Sequence, residues 1–542
     1  MLNQIQCLMT STSTLLRVRE PMIEYQDYLL IFCLFSALFI CICTTKRKGD
    51  GRKLNLPPSP LSLPLIGHFH HLLSLAGLYS SLHRVAVQYG PLVYLRLGSS
   101  TLVLVSSASV AAQICKAQDV YFACRPKFSY ADKILYGEFS FINAPYGEYW
   151  RFLKKLCVNE LLGARQVDRS KSIRSQEILK FLKRVIGYAE RSEVIDVRVE
   201  MVKLTNNVLC RMAMSTSTEM GMGMDQAEEM RDILKQSFEL AGKLYVGEML
   251  GPFKRLILWI YGTKVSNLTK RFDQLLEKIL KDHEHESESD GDHVVKDLMD
   301  IMLDVQREEK AKVPITRSNI KAFFTDLIIA GTDSSSQAME WVIAELINHP
   351  LVLRKVREEI KLVVGDTRLV KESDIPSLPY LQAVVKETLR LHPSGVFTTR
   401  LCRQNCKVEG FDISENTPVA INLYTIMRDP NEWKNPNEFR PERFLDLGGV
   451  YEEDINKEIR SNSKGQNLNF IPFGAGRRGC PGTLLAFTLL NYVIAASIQC
   501  FDWKVDSGEV NMQPGRGISL AMAHPLKCRP VVHFNPFKSE CN

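Results

Sequence analysis

The strongest constraint on the fold is a single cysteine, Cys480, in a glycine-rich loop that leads into a long apolar stretch. Residues 473–482 read FGAGRRGCPG, and residues 483–501 continue with the apolar pattern of a buried helix. The glycines before the cysteine let the backbone approach a flat neighbour closely and adopt φ values that other residues resist. Pro481 suits the first position of a helix, so we expect Cys480 at a helix N-terminus, where the thiolate form is favoured.

Three chemical roles are open to this thiol. A nucleophile needs a base, and no histidine or acid directly flanks Cys480. A zinc site needs further Cys or His ligands at short spacing, and the loop has none. The third role is axial ligand to a flat cofactor that takes one sulfur and carries carboxylates, which Arg478 can meet. Haem is such a cofactor, and the loop favours it over the other two roles.

The pattern F-x-x-G-x-R-x-C-x-G resembles the haem-binding signature of the cytochrome P450 family. It is formed by Phe473, Gly476, Arg478, Cys480 and Gly482. The resemblance extends along the chain from residue 28. It implies a mainly α fold with small β-sheets, in which haem b lies between a long central helix and the helix after the cysteine loop. It also implies that Cys480 binds the iron and that the other four residues hold the cofactor.

The central helix is predicted over residues 317–348 and contains the motif AGTDSSS. Gly331 in a helix interior costs about 1 kcal/mol, and clustered hydroxyls compete for backbone carbonyls; such local violations tend to mark functional sites. The resemblance implies that Gly331, Asp333 and Ser334 are the catalytic residues, in a groove where an acid and a hydroxyl pass protons to dioxygen. Ser334 replaces the usual threonine, so its rotamer is less restricted and we expect more peroxide loss. The alternative is a serine bonded back to the Ala330 carbonyl.

Three residues outside the loop resemble partners of the haem propionates. Trp150 and Lys154, in WRFLKK, match the family pattern W-x-x-x-R, with a lysine point charge where arginine is usual. Arg400 matches the other propionate partner. A core tryptophan with surface cations would give the same pattern, and that alternative stays open at this point.

A glutamate and two arginines resemble a further family feature. Glu387 and Arg390, in KETLR, lie three residues apart, and Arg443 follows in PERF. Spacing alone indicates a surface pair of a few tenths of a kcal/mol. The resemblance instead implies a buried ion network that fixes the cysteine loop and takes no part in the chemistry.

An uncharged segment over residues 28–45 predicts a membrane anchor. It spans about 27 Å as a helix, close to the thickness of the endoplasmic reticulum bilayer. The basic cluster that follows places the catalytic domain in the cytosol, although a signal peptide is the alternative. We expect a disordered extension over residues 1–27, the single-pass anchor over 28–45, a basic stop and proline-rich hinge over 46–67, and the catalytic domain over 68–542.

Apolar spacing predicts the elements of that domain. A β-hairpin is expected over residues 91–107, and helices are expected over residues 170–186, 227–244, 265–282 and 351–364. Two histidine-containing segments could hold a metal, but we interpret both as solvated. They are His68, His70 and His71, and the acidic run HEHESESDGDH over residues 283–293.

Charge and cysteine content exclude some partners and compartments. The 68 basic and 61 acidic residues give a net charge of +7, without the dense basic stripes of nucleic-acid-binding proteins. The fourteen cysteines include no C-x-x-C pair, which indicates a reducing, cytosol-facing location. Arg151, Lys155 and Arg477 could form a basic surface for an acidic electron donor, and the resemblance implies an NADPH-dependent cytochrome reductase.

The reaction implied by the resemblance is insertion of one oxygen atom from O₂ into an apolar carbon of a lipophilic molecule. The segments NELLGARQVDRSKSIR and MAHPLKC resemble those of plant microsomal members of the family, and they favour a triterpenoid substrate. A flavonoid or isoflavonoid substrate is the alternative. A haem-thiolate isomerase or dehydratase is less favoured because it does not need the Asp333-Ser334 pair. A non-catalytic haem sensor, which would need neither a reductase surface nor an open pocket, is the other alternative.

Overall fold

The computed structural model describes most of the chain. The residues described are 32–33, 35–36, 54–63, 66–72, 77–98, 100–127, 136–215, 229–230, 232–237, 239–240, 243–244, 254–289, 296–308, 312–445 and 468–537. The chain divides into one unit of residues 1–54 with 63–65 and a second unit of residues 55–62 with 66–542. In the first unit, Phe32, Cys33, Phe35 and Ser36 are helical. The rest of the predicted anchor, and the extension before it, lie outside the described residues.

Helices make up most of the second unit. Their bounds are α1 Phe69–Leu72, α2 Leu78–Tyr89, α3 Ala108–Ala112, α4 Glu148–Cys157, α5 Ala164–Arg169, α6 Lys171–Glu190, α7 Val197–Met214, α8 Lys254–Ser289, α9 Leu298–Arg307, α10 Arg317–Asn348, α11 Pro350–Val364, α12 Pro379–Leu391, α13 Leu423–Ile426 and α14 Thr483–Cys500. Turns of π-helix extend α3 over Gln113–Ala117 and α4 over Val158–Leu162. Short 3₁₀ turns occupy Gly137–Phe139, Glu372–Ser377 and Pro441–Phe444.

The strands form small sheets. Their bounds are β1 Leu92–Leu97, β2 Ser100–Val105, β3 Ile195–Asp196, β4 Thr398–Leu401, β5 Cys406–Val408, β6 Phe411–Ile413, β7 Pro418–Ile421, β8 Phe501–Lys504 and β9 Lys527–Val532. One sheet has the order β1-β2-β7-β4, a second has the order β3-β9-β8, and β5 pairs with β6. Within the first sheet, β2 and β7 are parallel, whereas β1 and β4 run antiparallel to their neighbours. The predicted hairpin over residues 91–107 is therefore confirmed as β1 and β2.

The central helix α10 begins and ends where the sequence predicts. The Thr316 hydroxyl accepts a hydrogen bond from the Asn319 N–H (3.3 Å), and the Asn319 side chain accepts one from the Thr316 N–H (2.7 Å), a capping box. Most α10 side chains are buried, and Trp341 is fully enclosed. The helix packs along α7 and against α14, so it runs through the middle of the largest apolar cluster.

One helix in the described part of the chain, α14, is long and apolar enough to cross a membrane. About 78% of this stretch is buried inside the protein. Its apolar character therefore reflects its place in the core, where its side chains contact α10, α11 and α12.

His68 and His283 are buried, whereas we predicted that their segments are solvated; residues 290–293 of the acidic run lie outside the described residues. His68 is buried, its Nε2 lies 2.9 Å from the Pro60 carbonyl oxygen, and its Nδ1 accepts a hydrogen bond from the Arg96 N–H (2.7 Å). His283 is also buried, on α8, which continues to Ser289. Its Nε2 lies 3.1 Å from a carboxylate oxygen of Asp297, the N-cap of α9. Both histidines are held by partners distant in sequence, which local composition does not reveal.

Other predicted helices agree with the structure in the residues that it describes. Residues 170–186 correspond to α6, residues 265–282 lie within the longer α8, and residues 351–364 correspond to α11. The described residues between 229 and 244 are helical, but the rest of the helix predicted over 227–244 lies outside them. The compact unit already includes residues 55–62, where the Pro58 carbonyl accepts a hydrogen bond from the Tyr94 N–H (2.8 Å), ahead of the boundary predicted at residue 68.

Candidate functional site

Cys480 lines a cavity of about 310 Å³ that lies between α10 and the cysteine loop. Ser334 lines the same cavity from α10. The other lining side chains are mostly apolar or aromatic, and they include Phe141, Ile142, Trp150, Ala330, Ala338, Leu389, Phe397, Leu423, Phe473 and Leu490. The cavity therefore brings the predicted metal ligand and one predicted catalytic hydroxyl to one apolar space.

The cysteine loop is folded tightly under this cavity. The Cys480 N–H donates to the Phe473 carbonyl (3.0 Å), and the Gly479 N–H donates to the Gly476 carbonyl (3.0 Å). Gly476 has φ +72°, and a Cβ there would overlap the Cys115 carbonyl oxygen and stand 2.7 Å from the Asp119 carboxylate. Glycine is therefore required at this position by both backbone conformation and space.

The electrostatic environment of Cys480 contains opposing effects. The pKa of its thiol is raised, chiefly because the surrounding protein atoms desolvate the sulfur although the residue is exposed, and the Gly482 N–H, the Thr483 hydroxyl and the charge of Lys154 oppose this effect. Helix α14 begins at Thr483, so Pro481 and Gly482 form a turn before the helix. We predicted Pro481 at the first helical position, but the helix begins two residues later. The cysteine loop therefore includes Pro481 and Gly482.

Buried cations surround the cavity. Arg125 and Arg478 line it beside Trp150, and the Arg478 guanidinium stands 4.6 Å from the centre of the indole ring. Burial and repulsion by Arg400 and Arg478 lower the pKa of Arg125 to about 9. Nε of Arg125 is buried without a hydrogen-bond partner in the described part of the chain. Nε of Arg125 thus offers a hydrogen-bond donor at the cavity wall, which fits a cofactor with carboxylates.

The residues therefore fit haem. Cys480 supplies one accessible sulfur, and Arg125, Trp150 and Arg478 present donors and an aromatic face to the same cavity. Sequence reasoning missed Arg125. Its signal was an isolated arginine in the otherwise mainly apolar stretch VYFACRP.

Two predicted propionate partners support the loop and do not line the cavity. Lys154 donates to the Arg477 carbonyl, and its Nζ lies 5.1 Å from the centre of the Trp150 ring. Arg400 is fully buried and donates to the Thr398 hydroxyl (2.9 Å) and to the Ala475 carbonyl (3.1 Å). Each of them connects a neighbouring element to the cysteine loop.

The AGTDSSS motif of α10 is arranged differently from what the family resemblance implied. The helix continues through Gly331 without interruption, and a Cβ at Gly331 would stand 2.6 Å from the Leu209 side chain on α7. The glycine thus allows close packing of α7. The Ser334 hydroxyl donates to the Ala330 carbonyl (2.7 Å), which is the alternative left open by the sequence.

Asp333 faces away from the cavity. One carboxylate oxygen lies 2.5 Å from the Arg198 guanidinium on α7, and the other accepts a hydrogen bond from the Gln337 amide (2.5 Å). Of the three residues predicted to be catalytic, Ser334 lines the cavity, whereas Asp333 and Gly331 face α7. Arg198 carries no signal in the sequence, because it precedes its partner by 135 residues.

The predicted ion network is assembled and buried. Glu387 accepts two hydrogen bonds from Arg390 (2.7 and 2.9 Å) and one from Arg443 (2.9 Å). Arg390 also donates to the carbonyls of Met427 and Pro436. The Glu387 and Arg390 side chains are fully enclosed. The network joins α12 to the segment that leads toward the cysteine loop.

A cluster of cations lies on the surface beside the loop. The guanidiniums of Arg151, Arg403 and Arg477 stand 5.8, 5.5 and 5.7 Å from the centre of the Tyr146 ring. Arg477 is also paired with Asp119 (2.7 Å), so part of its charge is neutralised. Arg151 and Lys155 are exposed on α4.

Comparison with known proteins gives consistent matches over nearly the whole chain. The family model described as Cytochrome P450 matches residues 57–527. The chain is 43% identical to cytochrome P450 705A5 of Arabidopsis thaliana, with 93% of this chain and 96% of that protein covered. It is 39% identical to the beta-amyrin 24-hydroxylase of Glycine max (95% and 100% covered), and 39% identical to the 3,9-dihydroxypterocarpan 6A-monooxygenase of the same organism (94% and 98% covered).

The fold is also similar to solved structures. A zebra fish cytochrome P450 with progesterone matches with a TM-score of 0.69 at 23% identity, and the match covers 84% of this chain and 99% of that one. At this identity the likeness concerns the fold alone.

Proposed function

The chain belongs to the cytochrome P450 family, and on that premise we propose that it oxidises a C–H carbon of a triterpenoid with dioxygen and electrons from NADPH. As a family member it is a haem-thiolate monooxygenase whose haem takes a cysteine thiolate as axial ligand. The observation that carries the proposal is that Cys480 and Ser334 face one cavity with a mainly apolar lining.

In the proposed site, Cys480 would bind the iron of the haem, and Arg125, Trp150 and Arg478 would hold its propionates. The bound haem, with its thiolate ligand, supplies the iron chemistry that favours cleavage of the O–O bond. Overall, R–H, O₂, two electrons and two protons give R–OH and water. Phe473, Gly476 and Gly482 shape the loop so that the sulfur faces the cavity, while Lys154 and Arg400 hold the loop in place.

Proton handling is proposed for α10. Ser334 places a hydroxyl at the cavity wall, with its proton directed at the Ala330 carbonyl. Asp333 is held by Arg198 and Gln337, so it must release Arg198 before it can exchange a proton with the cavity side of the helix. Gly331 lets α7 pack closely against α10, and this packing places Arg198 of α7 next to Asp333.

The triterpenoid assignment is supported by the likeness to a beta-amyrin hydroxylase, a protein that the alignment covers completely. An equally similar relative is a pterocarpan monooxygenase, which makes an isoflavonoid-type substrate the second candidate. An isomerase or dehydratase is less favoured because it does not need the acid–hydroxyl pair Asp333-Ser334, of which Ser334 lines the cavity.

The test is turnover in microsomes that contain the full chain and a cytochrome reductase. We expect β-amyrin-type triterpenoids to gain one oxygen atom from ¹⁸O₂, detected as a mass increase, in an NADPH-dependent reaction. A Cys480→Ala variant is the control and should give no product. Oxygen gain by pterocarpans alone would support the second candidate, and product without ¹⁸O would contradict the monooxygenase assignment for this chain.

We further propose that residues 28–45 anchor the protein in the endoplasmic reticulum membrane, with 1–27 as an extension, 46–67 as a hinge and 68–542 as the cytosolic catalytic domain. The exposed Phe32 and Phe35 support this assignment. Carbonate extraction of microsomes should leave the full chain in the pellet and release a variant lacking residues 1–45. Release of both proteins would contradict the anchor.

The proposed electron donor is an NADPH-cytochrome reductase that docks on the surface formed by Arg151, Lys155 and Arg477. Charge reversal of Arg151 and Lys155 should raise the KM for the reductase, and the effect should shrink as salt concentration increases. Reversal of the exposed Lys361, on α11, is the matched control. Equal effects of the two changes would argue against a defined docking surface.

A further inference from the structure

Two cysteine thiols lie side by side at the end of β4. Cys402 follows Leu401, the last residue of β4, and Cys406 begins β5. Their sulfur atoms are 3.7 Å apart. Cys402 is fully buried, whereas Cys406 is partly exposed. The pair therefore combines close approach of two sulfurs with access from the surface.

The backbone on both sides holds this arrangement. The Cys402 N–H donates to the Thr417 carbonyl (3.0 Å), and Cys406 pairs with Ile413 in the β5–β6 hairpin. The Cys402 sulfur also lies 3.0 Å from the Gln404 carbonyl oxygen. Because the paired strands fix both Cα positions, the sulfurs meet within ordered structure. A disulfide bond of about 2.05 Å requires the two sulfurs to approach each other by roughly 1.7 Å.

The thiols also differ in reactivity from other described cysteines. The contact between the two sulfurs lowers the pKa of Cys402 and raises the pKa of Cys406, so Cys402 is the thiol of the pair that ionises more readily. Burial instead raises the pKa of Cys115, Cys157 and Cys210. Thiolate character next to a second thiol is the arrangement that turns oxidation into disulfide formation.

We propose that Cys402 and Cys406 form a reversible disulfide when the protein meets hydrogen peroxide. The reaction is balanced by the peroxide alone: the two thiols lose two protons and two electrons, one S–S bond forms, the O–O bond of the peroxide breaks, and two water molecules are released. An excess of a dithiol reverses the reaction by two thiol–disulfide exchanges, which restore both thiols and oxidise the added dithiol.

The disulfide bond would link β4 to the β5–β6 hairpin, and both elements contact residues that support the cysteine loop. Strand β4 carries Arg400, which contacts the Ala475 carbonyl. The β5–β6 hairpin is held by the Gln118 side chain, which donates to the Lys407 carbonyl (2.7 Å), close to the π turn that contains Cys115. Cys115 in turn stands against Gly476. The oxidised protein should therefore release haem several-fold more slowly on heating than the reduced protein.

Peptide mass spectrometry tests the proposal directly. Trypsin cuts after Arg400, Arg403 and Lys407, so the reduced chain gives the separate peptides LCR and QNCK. After treatment of the full-length protein with hydrogen peroxide, alkylation of remaining thiols and digestion, we expect LCR and QNCK to appear as one species, two hydrogens lighter than their sum. Added dithiothreitol should separate them again.

Three variants complete the experiment. Cys402→Ser and Cys406→Ser must each abolish the linked species, and Cys124→Ser, which alters a partly exposed cysteine outside the pair, must leave it intact. Recovery of Cys406 as a sulfinic acid, with Cys402 still open to alkylation, would overturn the proposal. The readout needs no substrate, so it is independent of the proposed oxidation reaction.

Discussion

The carboxylate of Asp333 lies 2.5 Å from the guanidinium of Arg198 on α7, on the side of α10 away from the cavity that the neighbouring Ser334 lines. The acid and the hydroxyl of one sequence motif thus point in different directions. In the proton route that we propose, the contact with Arg198 has to open before Asp333 can pass a proton to the cavity side. The ion pair is therefore a candidate control point for proton delivery.

This arrangement predicts unequal effects of two substitutions. Asp333→Asn should lower turnover by about a hundredfold, the low end of general acid–base contributions, without changing the spectrum of the ferrous carbon monoxide complex. Arg198→Ala should lower turnover far less, because the acid remains and is released. NADPH-driven product formation with the reductase is the measurement. An equal loss in both variants would show that the pair acts only through structure.

Ser334 should control how much reducing power is lost as peroxide. Ser334→Thr adds a methyl group that restricts the rotamer, so we expect less peroxide per NADPH consumed. Ser334→Ala removes the hydroxyl that now donates to the Ala330 carbonyl, and we expect more peroxide. Peroxide and NADPH are measured in parallel. A change in the same direction for both variants would contradict a role for the hydroxyl.

Glu387 should be essential for stability. Glu387→Gln leaves Arg390 and Arg443 without their charged partner in an enclosed site, and breaking such a pair costs about 3–5 kcal/mol. We expect little haem-containing protein and a lower unfolding temperature. Glu358→Gln, in an exposed pair with Arg354, is the matched control and should change the free energy of unfolding by less than about 1 kcal/mol.

Gly476 should tolerate no side chain. Gly476→Ala combines positive φ with overlap against Cys115 and Asp119, so we expect loss of haem binding. Gly508→Ala has a similar φ of +78° and no atom within 4 Å of the added Cβ. It isolates the conformational strain alone and should cause only a modest loss of stability. Haem content per protein is the readout; normal content in Gly476→Ala would contradict the close packing.

Glu340 should make stability depend on pH. Burial raises its pKa from 4.5 to about 7. One oxygen accepts from the Leu526 N–H (2.9 Å), and within the described residues the other has no partner. Its nearest charges are Arg198, which lowers the pKa, and Asp196 and Asp333, which raise it. Because the folded pKa is the higher one, ionisation costs stability as pH rises from about 4.5 to 7.

Glu340→Gln removes this cost. We expect the variant to gain stability relative to the unaltered protein as pH increases across that range, by roughly 3 kcal/mol at its upper end. Thermal unfolding between pH 5 and pH 8 is the measurement. A difference that stays constant with pH would contradict the raised pKa.

Much of the fold was predictable because its signals are local. The spacing of apolar residues predicted α10 from Arg317 to Asn348, and the alternation around residues 91–107 predicted β1 and β2. Cys480 and its glycines were recognisable because a tight loop and a helix start require particular residue types at short, fixed intervals. Glu387 and Arg390 lie one helical turn apart, so their pairing also followed from spacing.

Other features depended on which segments meet in three dimensions. The sequence alone determined that Asp333 and Ser334 are adjacent on a long helix, but packing of α7 turned Asp333 toward Arg198 and left Ser334 at the cavity. Arg125 reaches the cavity, and His283 reaches Asp297, through contacts with no short-range pattern. Helical periodicity specifies the face on which a side chain lies. The neighbour that covers that face determines whether the side chain is buried, paired or directed to the site.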